Sequence, residues 1–181
     1  MQIKKTKFKG LKIVTNKIYK DSRGYFKEDF KQTLFKGSKF IFSCTSKSKK
    51  NVLRGLHLQM KKSQGKYISV LKGKIFDVAV DLRKDSSTYG KVFSIILSEE
   101  NSKSLFIPPG FAHGFCSLAK ENYVIYSCTN YRDAKSEIAI NYKDKDLKIK
   151  WPIKRPIVSK KDQQAISIKE FVRKYKFNKV I

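Results

Sequence analysis

Apolar and polar residues alternate with a period of two along most of this chain, the spacing expected of half-buried strands. From residue 1 to 20, Ile3, Phe8, Leu11, Ile13 and Ile18 are separated by lysines, which predicts edge strands protected by charge. Asp21-Ser-Arg-Gly24 reads as a turn, Tyr25–Phe30 as a strand, and Lys31–Ser38 as a short helix or a loop. Phe40–Thr45 is a further strand and Ser46–Lys50 an exposed turn. In Val52–Gln59, alternation sets His57 and Gln59 on one face and Leu56 and Leu58 on the other. Arg54 falls on the leucine face unless Gly55 makes a bulge.

Beyond a polar loop, Lys66–Leu71 and Lys74–Leu82 are strands joined at Lys72-Gly73, and Lys91–Leu97 is another. In the second of these, Phe76, Val78, Val80 and Leu82 face one way and Asp77, Ala79 and Asp81 the other. Leu105–Ile107 leads into a Pro108-Pro-Gly110 turn, Gly114–Leu118 and Tyr123–Tyr131 read as a hairpin, and Glu137–Tyr142 is a last short strand. Helical spacing occurs only in Lys160–Tyr175, behind Ser159 as an N-cap. Many short strands and one late helix predict a mainly β, antiparallel sandwich or barrel.

Composition narrows the class. The 181 residues are most simply one domain, 1–181, with 40% hydrophobic and 13% aromatic content suited to a folded core. Cys44, Cys116 and Cys128 are odd in number and irregularly spaced, which favours reduced thiols over a disulfide framework. There is no apolar run of about 18 residues and no signal-peptide pattern, so the expected setting is the cytoplasm, with no membrane partner. The net charge of +26 raises the question of nucleic acid, but only six of the 41 basic residues are arginine. The lysines are dispersed without a block or an arginine–aromatic cluster, and an anionic small substrate fits the charge equally well.

The chemistry centres on the chain's two histidines. His57 lies in Asn51-Val-Leu-Arg-Gly-Leu-His-Leu-Gln59 and His113 in Ile107-Pro-Pro-Gly-Phe-Ala-His-Gly-Phe115, both short, apolar and glycine-bearing. Two histidines, with Gln59 a poor ligand two positions past the first, are too few for a metal site of the barrel type, so none is expected. No nucleotide-binding glycine loop or nucleophile elbow is present. Acid–base chemistry remains, with His57 as general base, Lys66 as electrostatic partner and Tyr126 as proton donor. Taken singly, each also reads as an ordinary structural residue.

The two histidine segments, with Arg23-Gly-Tyr-Phe26, Gln64-Gly-Lys66, Gly73-Lys-Ile-Phe-Asp-Val-Ala-Val-Asp-Leu-Arg83, Ser98-Glu-Glu-Asn101, Ile149-Lys-Trp-Pro152 and Ser159-Lys-Lys-Asp162, resemble the dTDP-4-dehydrorhamnose 3,5-epimerase family. The resemblance covers roughly residues 10–165 in register. It implies a cupin-type antiparallel jelly-roll barrel with a short C-terminal helix, a homodimer, and catalysis without metal or cofactor on a nucleotide-linked 4-keto-6-deoxyhexose. By resemblance His57 is the base, Asp162 its dyad partner, Lys66 the stabiliser of the O4 oxyanion and Tyr126 the acid on the opposite ring face. Arg54 and Arg23, the latter reaching from a partner subunit, match diphosphate ligands. His113, Glu28 and Gln59 match substrate contacts, and Phe26 and Tyr131 match a base-stacking pair. Ser159-x-x-Asp162 also reads as a capping box, a competing use of the same carboxylate.

The chain departs from the family pattern at three places. Phe42-Ser-Cys44 stands where a Gln-x-Asn pair is common, Tyr131-Arg132 where an aromatic pair is common, and Leu58 where a tyrosine or phenylalanine follows the base. These leave C3-only epimerisation or ketoisomerisation of a related sugar as the enzymatic alternative. A non-catalytic basic binding protein on the same barrel is the alternative of another class.

Overall fold

The computed structural model describes residues 1–175. Thirteen strands run in the order β1 (Gln2–Lys5), β2 (Lys12–Thr15), β3 (Ile18–Asp21), β4 (Gly24–Lys27), β5 (Phe42–Lys49), β6 (Leu53–Gln59), β7 (Lys66–Lys72), β8 (Lys74–Asp81), β9 (Val92–Ser98), β10 (Lys103–Ile107), β11 (Phe111–Ser117), β12 (Glu121–Cys128) and β13 (Glu137–Ala139). Helices α1 (Lys160–Gln163) and α2 (Ile168–Lys174) follow.

A six-stranded sheet, β1-β2-β10-β7-β12-β5, faces a five-stranded sheet, β13-β6-β11-β8-β9. All their strand pairs are antiparallel. This is the jelly-roll class of double-sheet fold. The inner faces bury Ile68, Val70, Ile75, Ala79, Leu97, Leu105, Phe115 and Val124 around Phe8 and Leu11. The outer face of the five-stranded sheet is also apolar. Its Leu56, Leu58, Val78, Val80 and Leu82 are covered by the C-terminal segment, with Phe171 of α2 fully buried. The two-sided alternation of β8 is thus realised: its apolar face packs under α2, and Asp77, Ala79 and Asp81 point inward.

Four sequence expectations are corrected. The residues read as a hairpin, Gly114–Leu118 and Tyr123–Tyr131, fall largely on β11 and β12, which lie in opposite sheets; each pairs with strands distant in sequence, as a jelly roll requires. Ser46–Lys50 is not a turn, because β5 continues to Lys49 along the whole of β12 and Ser48 is buried. The strand read over Tyr25–Phe30 ends at Lys27. The single helix read over 160–175 is two: Ile166 bridges Ile140 in extended conformation, and Ser167 with Glu170 forms a capping box that starts a new helix. Among the described residues no helix is long and apolar enough to cross a membrane.

Candidate active site

His57 and His113 sit directly opposite each other on β6 and β11, both pointing between the sheets. From that pair the register slips: Phe115 faces Arg54, so β6 carries one extra residue. Gly55 takes it up at φ +118, where a Cβ would meet the Gly114 Cα at 2.5 Å and the His113 carbonyl oxygen at 2.7 Å. Only glycine fits. The bulge overrides strict alternation and lets Arg54 and His57 line the same cavity of about 540 Å³. Arg54 donates from Nε to Ser48 Oγ at 3.1 Å and from Nη2 to the Lys47 carbonyl at 3.1 Å.

The His57 Nε2 lies 2.6 Å from Asp162 Oδ1, and Asp162 Oδ2 accepts from the Gly55 N–H at 3.3 Å. Asp162 is the third residue of α1, and its own N–H donates to Ser159 Oγ at 3.1 Å. The Asp162 backbone N–H takes the cap, and its carboxylate is turned to His57 and the Gly55 N–H. Burial pushes the Asp162 carboxyl up, but the His57 hydrogen bond and charge, helped by Gly55 and Ser159, outweigh it and hold it below the usual carboxylate range. The carboxylate is 4% exposed and the imidazole 27%, so the dyad is anchored inside and opens to the cavity.

His113 has a carboxylate of its own. Its Nε2 lies 2.9 Å from Asp77 Oδ2, and Asp77 is fully buried, its other oxygen having no hydrogen-bond partner among the described residues.

The opposite wall comes from the six-stranded sheet. Tyr126 on β12 projects inward beside Cys44 of β5, with its hydroxyl 3.3 Å from Ser46 Oγ. Burial pushes the phenol well up, so it holds its proton at neutral pH. Lys66, at the start of β7, pairs across the backbone with Cys128 and Ile107. Burial pushes its ammonium down, against the opposing pull of the Glu137 and Asp77 carboxylates. No carboxylate pairs with it among the described residues. Burial also raises both thiols of this wall, Cys128 to about 11, so neither is a thiolate nucleophile. Among the described residues there is no cluster of three or more metal-ligating side chains.

The cavity thus brings together His57, Asp162, Lys66, Tyr126, His113 and Arg54. The other predicted contacts lie outside its lining. Gln59 is buried, with its amide spent on a loop: it donates to the Lys62 and Tyr131 carbonyls and accepts from the Asp133 N–H. Arg23, 88% exposed, pairs with Asp21 at the tip of the β3–β4 hairpin, and Phe26 and Glu28 are exposed on or beside that hairpin. Tyr131 stands at the mouth against Phe42, ring centroids 6.1 Å apart, while its neighbour Arg132 lines the cavity.

Sequence reasoning missed Ser46, Asp77 and Glu137. Asp77 had a signal, an acidic residue on the inward face of an apolar strand. Glu137, which lines the cavity in ion pairs with Lys161 and, at 3.6 Å, Arg132, had none, because its place depends on the pairing of β13 with β6.

Comparison with known proteins shows the family. The sequence profile of the dTDP-4-dehydrorhamnose 3,5-epimerase family matches residues 5–170. The chain is 42% identical over 173 residues to a dTDP-4-dehydrorhamnose 3,5-epimerase of Methanothermobacter thermautotrophicus, spanning 92% of this chain and 94% of that one. Its fold is similar to that of a dTDP-6-deoxy-D-glucose-3,5-epimerase from Legionella pneumophila solved in complex with dTDP-4-keto-L-rhamnose, with a TM-score of 0.89, 42% identity and 93% of each chain covered. A 3'-monoepimerase from Streptomyces bikiniensis in complex with dTDP-quinovose is also similar, at TM-score 0.86 and 26% identity, over 92% of this chain and 87% of that one. With a family profile spanning most of its length and relatives at this identity, the chain belongs to the dTDP-4-dehydrorhamnose 3,5-epimerase family.

Proposed function

We propose that this chain epimerises C3 and C5 of dTDP-4-dehydro-6-deoxyglucose to give dTDP-4-dehydrorhamnose. The observation that carries the reading is the opposition of His57, paired with Asp162 of α1, on one sheet to Tyr126 and Lys66 on the other, all lining one cavity. Protons at C3 and C5 lie next to the C4 ketone, so removing either gives an enolate. His57 takes the proton, and Asp162 orients the ring and stabilises the imidazolium. Lys66, a cation without a carboxylate partner among the described residues, compensates the charge that grows on O4. Tyr126 returns a proton to carbon from the opposite ring face, and this inverts the centre. Arg54 meets the diphosphate by charge-assisted hydrogen bonds.

The active form we propose is a cytoplasmic homodimer. The β3–β4 hairpin is a two-stranded sheet of its own, and Tyr19, Tyr25 and Phe26 on it are 47%, 54% and 66% exposed. Such an aromatic surface fits a partner's cavity mouth, to which it would bring Arg23 and Phe26. Incubation with dTDP-4-dehydro-6-deoxyglucose in deuterium oxide tests the reaction. The expected result by NMR is deuterium at C3 and C5 of an inverted sugar. Label at C3 alone would replace this reading by single-site epimerisation, and no label with no product would overturn it.

A further inference from the structure

Tyr126 gives up its proton at each inversion and must recover it before the next. Its hydroxyl has one hydrogen-bond partner among the described residues, Ser46 Oγ at 3.3 Å. Ser46 faces Val124 on β12, diagonal to Tyr126 on the same inner face, and lines the cavity. Val124, its cross-strand neighbour, is fully buried in the core, so Ser46 lies where the apolar interior meets the cavity. A hydroxyl donates and accepts at once, as a proton hand-off requires.

The rival path is less direct. The His113 ring stands edge-on to Tyr126 with centroids 6.4 Å apart, and its Nε2 is already committed to Asp77.

From this geometry we propose that Ser46 is a positioning and proton-return residue for Tyr126. It fixes the phenol toward the substrate and passes a proton from cavity water back to the phenolate. When Tyr126 protonates carbon its O–H bond breaks. The Ser46 proton moves to the phenolate as Ser46 takes one from water, and the hydroxide left is neutralised by the proton that the His57 imidazolium releases. No electron is transferred and every proton is accounted for. This inference rests on the epimerase reading above.

The test separates exchange from inversion. His57 alone can remove a proton and return a solvent deuteron to the same face, whereas inversion needs Tyr126. In deuterium oxide with dTDP-4-dehydro-6-deoxyglucose, S46A is expected to incorporate label within about twofold of the unaltered protein while inverting at least about tenfold more slowly. S46T, which keeps the hydroxyl on a strand-compatible side chain, is expected to restore inversion. Exchange and inversion falling together in S46A, or inversion at the unaltered rate, would overturn the inference alone. So would H113N losing inversion while S46A keeps it. Unaltered protein that neither exchanges nor inverts would overturn the epimerase reading and this inference with it.

Discussion

At the scale of single residues the cavity holds carboxylates with cationic or imidazole partners and a Lys66 ammonium with no carboxylate in ion-pair contact among the described residues. Asp162 is held below the usual carboxylate range, so its folded-state value lies under its unfolded one. Its pairing with His57 therefore contributes stability above the ordinary aspartate range, and this is lost as pH falls through the lowered value. D162N is expected to flatten the acid limb of a stability-versus-pH curve while cutting turnover; an unchanged acid limb would show that the pairing contributes nothing to the fold. Lys66 has the opposite balance. Desolvation disfavours its ammonium in the folded state. K66M should raise the melting temperature by a few degrees, about what 1 kcal/mol produces in a domain of this size, and abolish turnover. A lower melting temperature would mean that Lys66 has a stabilising partner. His57, Lys66 and Tyr126, which line one cavity, were singled out in the sequence because each is a residue type that proton abstraction needs. Ser46 was not: it fell in a stretch read as a turn, and only the pairing of β5 with β12 brings it to Tyr126.

At the scale of elements the site depends on two local devices. The sequence left two outcomes for Arg54, the leucine face or a bulge at Gly55, because Arg54 and His57 cannot share a face in a regular strand, and the structure has the bulge. G55A is expected to cost about 3 kcal/mol, from strain at positive φ and from overpacking against β11. Denaturant unfolding reads this directly, and a cost under about 1 kcal/mol would mean the strands can part to admit a methyl group. The second device is the short α1, whose cap by Ser159 sets Asp162 against His57. Strand positions were readable from alternation, whereas partners were not. Residues read as one hairpin belong to opposite sheets because pairing in a jelly roll joins strands far apart in sequence. The helix break at Ile166 was hidden for a similar reason, since a bridge to Ile140 overrides local helical spacing.

At the scale of the whole molecule, two sheets hold His57 and Tyr126 on opposite walls, and the net charge of +26 favours an anionic substrate. The proposed dimer makes each cavity depend on the partner's hairpin. H57A and R23A, each inactive alone, are therefore expected to regain activity when mixed and allowed to exchange subunits, because one cavity of the mixed dimer has an intact His57 and an intact Arg23 from its neighbour. No regain in a mixture shown to contain mixed dimers would exclude that exchange of residues. The central claim is that deprotonation and reprotonation are carried by opposite walls. Its most direct test is deuterium incorporation by Y126F from deuterium oxide into dTDP-4-dehydro-6-deoxyglucose, followed by NMR. The account predicts label at C3 and C5 with configuration retained and no rhamno product. Inverted product at the unaltered rate, or loss of exchange at both carbons in a folded protein, would contradict it.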